Sequence, residues 1–539
     1  MGSSEGVRRL AEHVESARRS SGMARLECWL VFAITVALVL HVGSAATCRH
    51  GLVNWDGLSA LAHAFDVVYK EPTVNLSLIG FVEPPAPVLI YLPLAGLFPT
   101  LAQSGYATVI FGAILLGLCA VLLDALTLRL GLGWWLRYPL VGFLILHPIA
   151  LSYAALGSPV VLLLFAVLGM AKSLASWGDG RHLRDLIGCS LYAAIALLTR
   201  YEAVFLVVAA ASYIGFRSAL SAPEARGTNS GMAMRSAKPV GSYSRVEGTL
   251  IMFLLPVAYF GGVWIGANWL IMGDPWHSLA ATFAGAVPVP DLWTAAVIIV
   301  PLLVFPLCYA LAYHELRLPG PWHGGAGVAL LMVAAVGMPL VWPSLYANLS
   351  DGLLLWGPLA SVTVVMLAGS LVLAAMIAAR YLQRIEIPAQ KHRPLVGTVF
   401  LAAASIVILI FMGPMGAKLP ASATDVLRGY VAFAHSATGD REAAAMLAQH
   451  YEQGRQVVIA GWPGFALALY SGYADKTNVL AEAGLDEKVA SSLQVGDMLV
   501  LFEGEKVWEH AMDYYTLEPE WLAGRWTGFR VKKRSTIDH

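Results

Sequence analysis

The stretch "GLVNWDGLSALAHAF", residues 51–65, begins where the first long apolar run of the chain ends. It sets Trp55-Asp56-Gly57, and then His63 and Asp66, at the edge of a hydrophobic segment in a chain poor in acidic groups. Read as a helix over 54–68, steps of about 100° per residue bring Asp56, Ser59, His63 and Asp66 within about a third of the circumference. Trp55, Leu58, Ala62 and Phe65 fall mainly on the other side. The pattern predicts an amphipathic helix at the membrane surface, its polar stripe facing away from lipid. The plain reading is an interfacial helix with a wet face. Asp56 stands apart, because an ionisable residue where a span emerges, beside an interfacial tryptophan, is a functional candidate.

Working outward, the 539 residues are 58% hydrophobic and only 13% charged, whereas a soluble domain carries about a quarter charged residues. Long apolar runs recur, so the chain reads as a polytopic membrane protein. Formal net charge is zero, which gives no electrostatic case for nucleic acid. The five cysteines, Cys28, Cys48, Cys119, Cys189 and Cys308, lie mostly in apolar runs without a CxxC. They indicate neither a disulfide framework nor a metal site.

A span needs about 20 apolar residues, and Lys/Arg in short loops sets orientation. On that basis eleven spans are predicted, near 29–47, 104–128, 136–154, 159–175, 184–199, 203–217, 248–270, 292–313, 325–345, 353–379 and 396–415. The first follows an Arg-rich segment, 1–28, too long for an ordinary signal peptide, and is read as uncleaved with a cytoplasmic N-terminus. Basic residues then cluster in the inside loops, with Arg49, Lys70 and Arg200 as the outside exceptions. "EPPAPVLIYLPLAGLFP" (83–99) holds five prolines and reads as a helix along or dipping into the outer leaflet, not a span. Residues 48–103 thus form one large outside loop, and 217–247 a flexible cytoplasmic linker.

Residues 29–418 form the transmembrane domain, and the composition changes in 419–539. There a helical stretch (Ala421 to Gln453) leads to the strand-like "RQVVIAGWPG", an acidic helix and a second strand, "DMLVLFEGE". Strands alternating with helices predict a small α/β domain, outside by parity. No dinucleotide fingerprint and no P-loop occur.

An aspartate just after the first span, an amphipathic helix, a Pro-Pro turn into "APVLIYLPLAGLF" and a long returning span together resemble the opening of the GT-C glycosyltransferases. These include protein O-mannosyltransferases and lipid A aminoarabinose transferases. "ALLTRYEAVFLV" (196–207) is similar to the family's Thr-Arg/Lys turn between short spans, and "NWLIMGDPWHSL" (268–279) to its span exit. The resemblance implies a GT-C fold: an α-helical polytopic membrane bundle with a C-terminal α/β domain. It implies a polyprenyl-phosphate sugar donor and transfer to a glycan, lipid or protein acceptor on the non-cytoplasmic side. A prokaryotic plasma membrane is expected ahead of the endoplasmic reticulum.

By that resemblance Asp56 is the general base, which must meet the acceptor at hydrogen-bond distance. The leaving phosphate gains negative charge, so a placed cation should stabilise it. Arg200 is that candidate, with a snorkelling arginine as the plain alternative. Glu202 either orients Arg200, binds acceptor or forms a structural ion pair. Two departures stand out: Glu83 occupies the position of a lysine before Pro-Pro, and the next outside loop, "SYAALGSPV", offers Ser158 and no carboxylate. A divalent metal is therefore possible but unsupported, and no cofactor is firmly expected. Lys70 is the remaining first-loop lysine for donor phosphate, or a solvated surface residue. Glu83, His63 and Asp66 are further substrate-binding candidates, as are His277 and Tyr346 in later outside loops. Asp274 reads as a cap before Pro275, and His147 as a packed helix residue.

Inverting transfer is expected, because one base suffices for a direct displacement. The rival class is a lipid-linked-sugar transporter or a non-catalytic assembly protein. Transporters often show internal repeats and mid-membrane charges, whereas the polar candidates here gather at one face. Transfer of a whole oligosaccharide is a third possibility.

Overall fold

The structure is a computed structural model of the chain. It describes residues 26–49, 51–70, 75–81, 83–220 and 242–278, together with eight positions of one helix between 364 and 375. Towards the C-terminus it describes 434–436, 438–452, 455–461, 463–480, 493–503 and 515–534. The spans expected at 292–313, 325–345 and 396–415, and the acidic helix, lie outside the described residues.

The apolar runs become helices where expected. Helix α1 (Leu26–Cys48), α5 (Tyr106–Arg129), α8 (Val160–Gly180), α10 (Val204–Leu220) and α11 (Ser242–Met272) each contain a stretch long and apolar enough to cross a membrane. The protein is an integral membrane protein. Helix α8 is central: 89% of its apolar window is buried, against 17% for α1 and α11 among the described residues. Helix α9 (Leu183–Thr199) packs along α8 and α11.

One expected span is broken. Instead of one helix over 136–154, α6 (Trp134–Leu146) stops at His147, and α7 (Pro148–Ala155) starts anew. A residue before proline is pushed out of the helical region, and His147 accordingly takes φ −61, ψ 124. Proline is well suited to open the next helix. His147 is thus the buried residue of a break, not of a continuous helix. The linker is also shorter than 217–247, since α10 runs on to Leu220 and α11 begins at Ser242.

The first loop folds as strand β1 (Leu52–Asn54), helix α2 (Trp55–Tyr69), a 3-10 turn (Leu76–Ile79), α3 (Ala86–Leu97) and α4 (Pro99–Gln103). Strand β2 (Ala434–Ser436) pairs antiparallel with β1, Val53 opposite His435. The stretch 421–453 is therefore not one helix, because its middle is a strand clipped to the first loop; helix α12 (Thr438–His450) follows it. The C-terminal sheet comprises β3 (Val457–Ala460), β4 (Thr477–Leu480), β5 (Met498–Phe502), β6 (Tyr515–Ala523) and β7 (Trp526–Arg534), in the order β4-β3-β5-β7-β6. Strand β3 lies parallel to β4 and β5, and both β3 and β5 are covered on each face, as parallel strands require. The last two strands depart from simple alternation. They form an antiparallel hairpin, turned at Gly524 with φ +60, on the edge of the sheet.

Helix α2 is wedged between α3, α5 and helix α13 (Gly464–Ser471) of the C-terminal unit. This corrects the expectation of a wet stripe: Ser59 is 1% exposed, and nine of the 15 residues of α2 are buried. The C-terminal unit covers the face that the sequence pattern left polar.

Candidate active site

Asp56 is set by the start of α2. The Asn54 side chain accepts from the Gly57 amide at 2.9 Å and caps the helix. Asp56 then sits in the first turn, where the helix dipole favours an anion. The helix can reach this depth because residue 57 lacks a side chain: a Cβ there would run into the Gly157 carbonyl. Gly157 itself holds φ +68 against Thr108.

Opposite stands Arg200. Helix α9 ends at Thr199, Arg200 extends (φ −150, ψ 129), and a 3-10 turn, Tyr201–Ala203, leads into α10. The break projects the guanidinium towards α2, and its Nη2 donates to Asp56 Oδ2 at 3.3 Å across 144 residues of sequence. Both side chains are mostly buried, 13% and 18% exposed. The Arg200 Nε is buried and makes no hydrogen bond.

Glu83 and buried Glu202 join this pair. Burial, reinforced by the charge of Asp56, lifts the Glu83 carboxyl to about 7, against the pull of Arg200. Its loop is shaped by Gly80 (φ +81), which lies against the His63 ring, and by Pro84 and Pro85. Phe81 stacks flat on Trp264 of α11 (5.0 Å, 4°). The Trp264 indole donates to the Tyr201 hydroxyl at 3.0 Å. This brace ties the Glu83 loop, the Arg200 turn and α11 into one unit. Phe81, Tyr201 and Trp264 escape a reading of the sequence; the one signal is Tyr201 between two charged candidates.

The other candidates separate. His63 packs on the Phe465 ring at 4.7 Å and lines a small cavity of about 10 Å³ with Ser59, Gly80 and Glu83. The Ser59 hydroxyl donates to the Asp56 carbonyl. Lys70 pairs with Asp66 at 3.4 Å, at the far end of α2, about 21 Å along the helix from Asp56 at 1.5 Å per residue. Burial raises the Asp66 carboxyl to about 6, with Lys70 opposing and Asp475 assisting. Asp274 caps its own turn, its carboxylate accepting from the Trp276 amide at 2.9 Å. His277 follows, next to Ser278, whose hydroxyl donates to Asn268 of α11 at 2.7 Å. Tyr346 lies outside the described residues.

The arrangement offers a carboxylate at a helix start, a guanidinium with spare donors, and a carboxyl that titrates near neutrality. Three acids surround one arginine, rather than converging on an open point. Among the described residues no three His, Cys, Asp or Glu side chains form a metal-ligand set.

A scan against protein-family models finds no match, nor does a search of curated proteins. Among solved structures, ArnT from Cupriavidus metallidurans bound to undecaprenyl phosphate superposes with a TM-score of 0.51 at 11% identity. The match covers 93% of this chain and 97% of that one. The archaeal oligosaccharyltransferase AglB from Archaeoglobus fulgidus, in complex with an inhibitory peptide and a dolichol-phosphate, gives 0.46 at 10% identity. It covers 94% of this chain and 74% of that chain. With its helical bundle, its Asp56-bearing first-loop helix and its C-terminal sheet, the chain is built on the GT-C fold.

Proposed function

We propose that the protein transfers a sugar from a polyprenyl-phosphate-linked donor to an acceptor hydroxyl on the non-cytoplasmic side of the membrane. The observation that carries this reading is the 3.3 Å contact between Asp56 and Arg200 at one end of a GT-C bundle. Asp56 takes the proton of the acceptor hydroxyl as its oxygen attacks the anomeric carbon. The bond from that carbon to the phosphate oxygen breaks, the phosphate leaves with the electron pair, and configuration inverts. A guanidinium carries five N–H donors, so Arg200 can hold Asp56 and still offer donors to the departing phosphate. Such charge-assisted bonds strengthen as negative charge develops. Glu202 and Glu83 flank Arg200 and fix its orientation. His63 and His277 are the acceptor contacts proposed with them, whereas Lys70, paired with Asp66 at the far end of α2, has no part at the phosphate.

The test is transfer of labelled sugar from a polyprenyl-phosphate donor by purified wild type and Asp56→Asn. General-base catalysis contributes roughly 10²- to 10⁴-fold, and turnover should fall by that much. Near wild-type turnover in Asp56→Asn would reassign the base. No consumption of any lipid-linked sugar by wild type would leave the transporter or scaffold reading in its place.

A further inference from the structure

A second site lies on the other side of α2. Leu58, two positions from Asp56 and about 200° around the helix, packs near Gly105 and the Tyr470 ring. Beyond them opens a cavity of about 750 Å³. Thr47 and Cys48 end α1, Ser104 ends α4, Tyr106 begins α5, and Arg441 and Tyr470 come from the C-terminal unit. Because the ends of two membrane-crossing helices line it, the cavity opens at the depth of lipid headgroups. Among the described residues Arg441 is the one charged residue on its wall. The guanidinium lies over the Tyr470 ring at 5.4 Å and donates one long bond, 3.4 Å, to the Thr47 carbonyl. Among the described residues it has no carboxylate within ion-pair distance, although most cations of the C-terminal unit do, such as Arg455 and Arg530 with Glu520. The Tyr470 hydroxyl is buried on the same wall beside the Arg441 guanidinium, and its own proton has no acceptor among the described residues. A cation and a hydroxyl with unused donor capacity suit a phosphate oxygen. The aromatic faces and Leu101 suit the apolar glycerol and upper acyl region.

We propose that this cavity binds the phosphate headgroup of an anionic bilayer lipid, with Arg441 as its ligand, and thereby clasps the C-terminal unit to the ends of α1 and α5. The site is separate from Asp56 and does not depend on the glycosyl-transfer reading.

The experiment follows the thermal unfolding midpoint of the full chain in detergent titrated with phosphatidylglycerol, phosphatidylcholine or inorganic phosphate. Phosphatidylglycerol should raise the midpoint; the zwitterionic lipid and free phosphate should do so far less. Arg441→Gln should raise the concentration giving half the shift at least about tenfold, the loss expected for a charged hydrogen bond. Cys48→Trp, which sets a bulky ring into the cavity and leaves Arg441 in place, should sharply reduce the shift. An undiminished shift in either variant overturns the proposal. So does an equal shift with phosphatidylcholine, or one that inorganic phosphate reproduces.

Discussion

Two charged clusters sit at opposite ends of the helical bundle, and they are built differently. At one end Arg137 of α6 meets Asp124 of α5 at 2.9 Å and Glu27 of α1 at 2.6 Å, and its guanidinium also donates to the Tyr138 hydroxyl at 2.8 Å. Asp124 is 1% exposed and Arg137 6%. That arginine meets two carboxylates and a hydroxyl, although its Nε, 2.9 Å from Asp124, makes no hydrogen bond of normal geometry. At the other end Arg200 touches Asp56 once, at 3.3 Å, with Glu83 and Glu202 beside it and its Nε unused. A cluster whose arginine makes several short contacts holds helices together, whereas one long contact among three carboxylates leaves donors for a ligand. Buried ionisable groups in a membrane domain are costly, and each cluster has its own reason to persist.

The largest effect that separates them is on catalysis. Asp56→Asn should lower turnover roughly 10²- to 10⁴-fold while thermal unfolding in detergent changes little, because Glu83 and Glu202 still neutralise Arg200. Arg137→Ala should do the reverse. Removing one partner of a buried ion pair costs about 3–5 kcal/mol, read as a lowered unfolding midpoint. The double change Asp124→Leu with Arg137→Leu should recover most of that loss. A stable but inactive Arg137→Ala would break the comparison. Next comes Arg200→Ala, expected to slow turnover on the order of 10- to 150-fold, from about 1.5–3 kcal/mol for a charged hydrogen bond, with partial recovery in Arg200→Lys. Full activity would return Arg200 to a structural role like that of Arg137.

The smallest effect concerns pH. The Glu83 carboxyl lies at about 7 when folded, above its ordinary 4.5. Between those values the native state binds more protons than the unfolded one, so stability is present below pH 4.5 and declines as pH rises towards 7. Glu83→Gln should flatten that decline, measured as unfolding midpoints from pH 4.5 to 7.5. An unchanged slope would mean that Glu83 is solvated and not part of the cluster.

Much of this architecture is legible in the amino-acid sequence. The apolar runs become α1, α5, α8, α10 and α11 because bilayer thickness alone demands such lengths. The 3.6-residue period predicts a helix over 54–68, where α2 forms over 55–69, and buried runs mark β3 and β5. Asp56 and Arg200 stand out separately, each as a charge near a span end. Local pattern cannot show that they meet, because their contact crosses 144 residues and depends on how α2 and α9 pack. Likewise the polar stripe of α2 declares itself polar, but only α13 and the β1–β2 pairing make it buried. The break at His147 is written in the following proline, yet an apolar run reads the same whether or not it is interrupted. The brace of Phe81, Trp264 and Tyr201 leaves no periodic trace, since three rings from three segments meet only after the chain has folded. Sequence by itself determined the long apolar helices, α2 and strands β3 and β5, because those follow from local hydrophobicity and backbone sterics, but not strand β2 within 421–453. The tertiary structure decided which charges became partners, because partnership is set by packing between segments far apart in the chain.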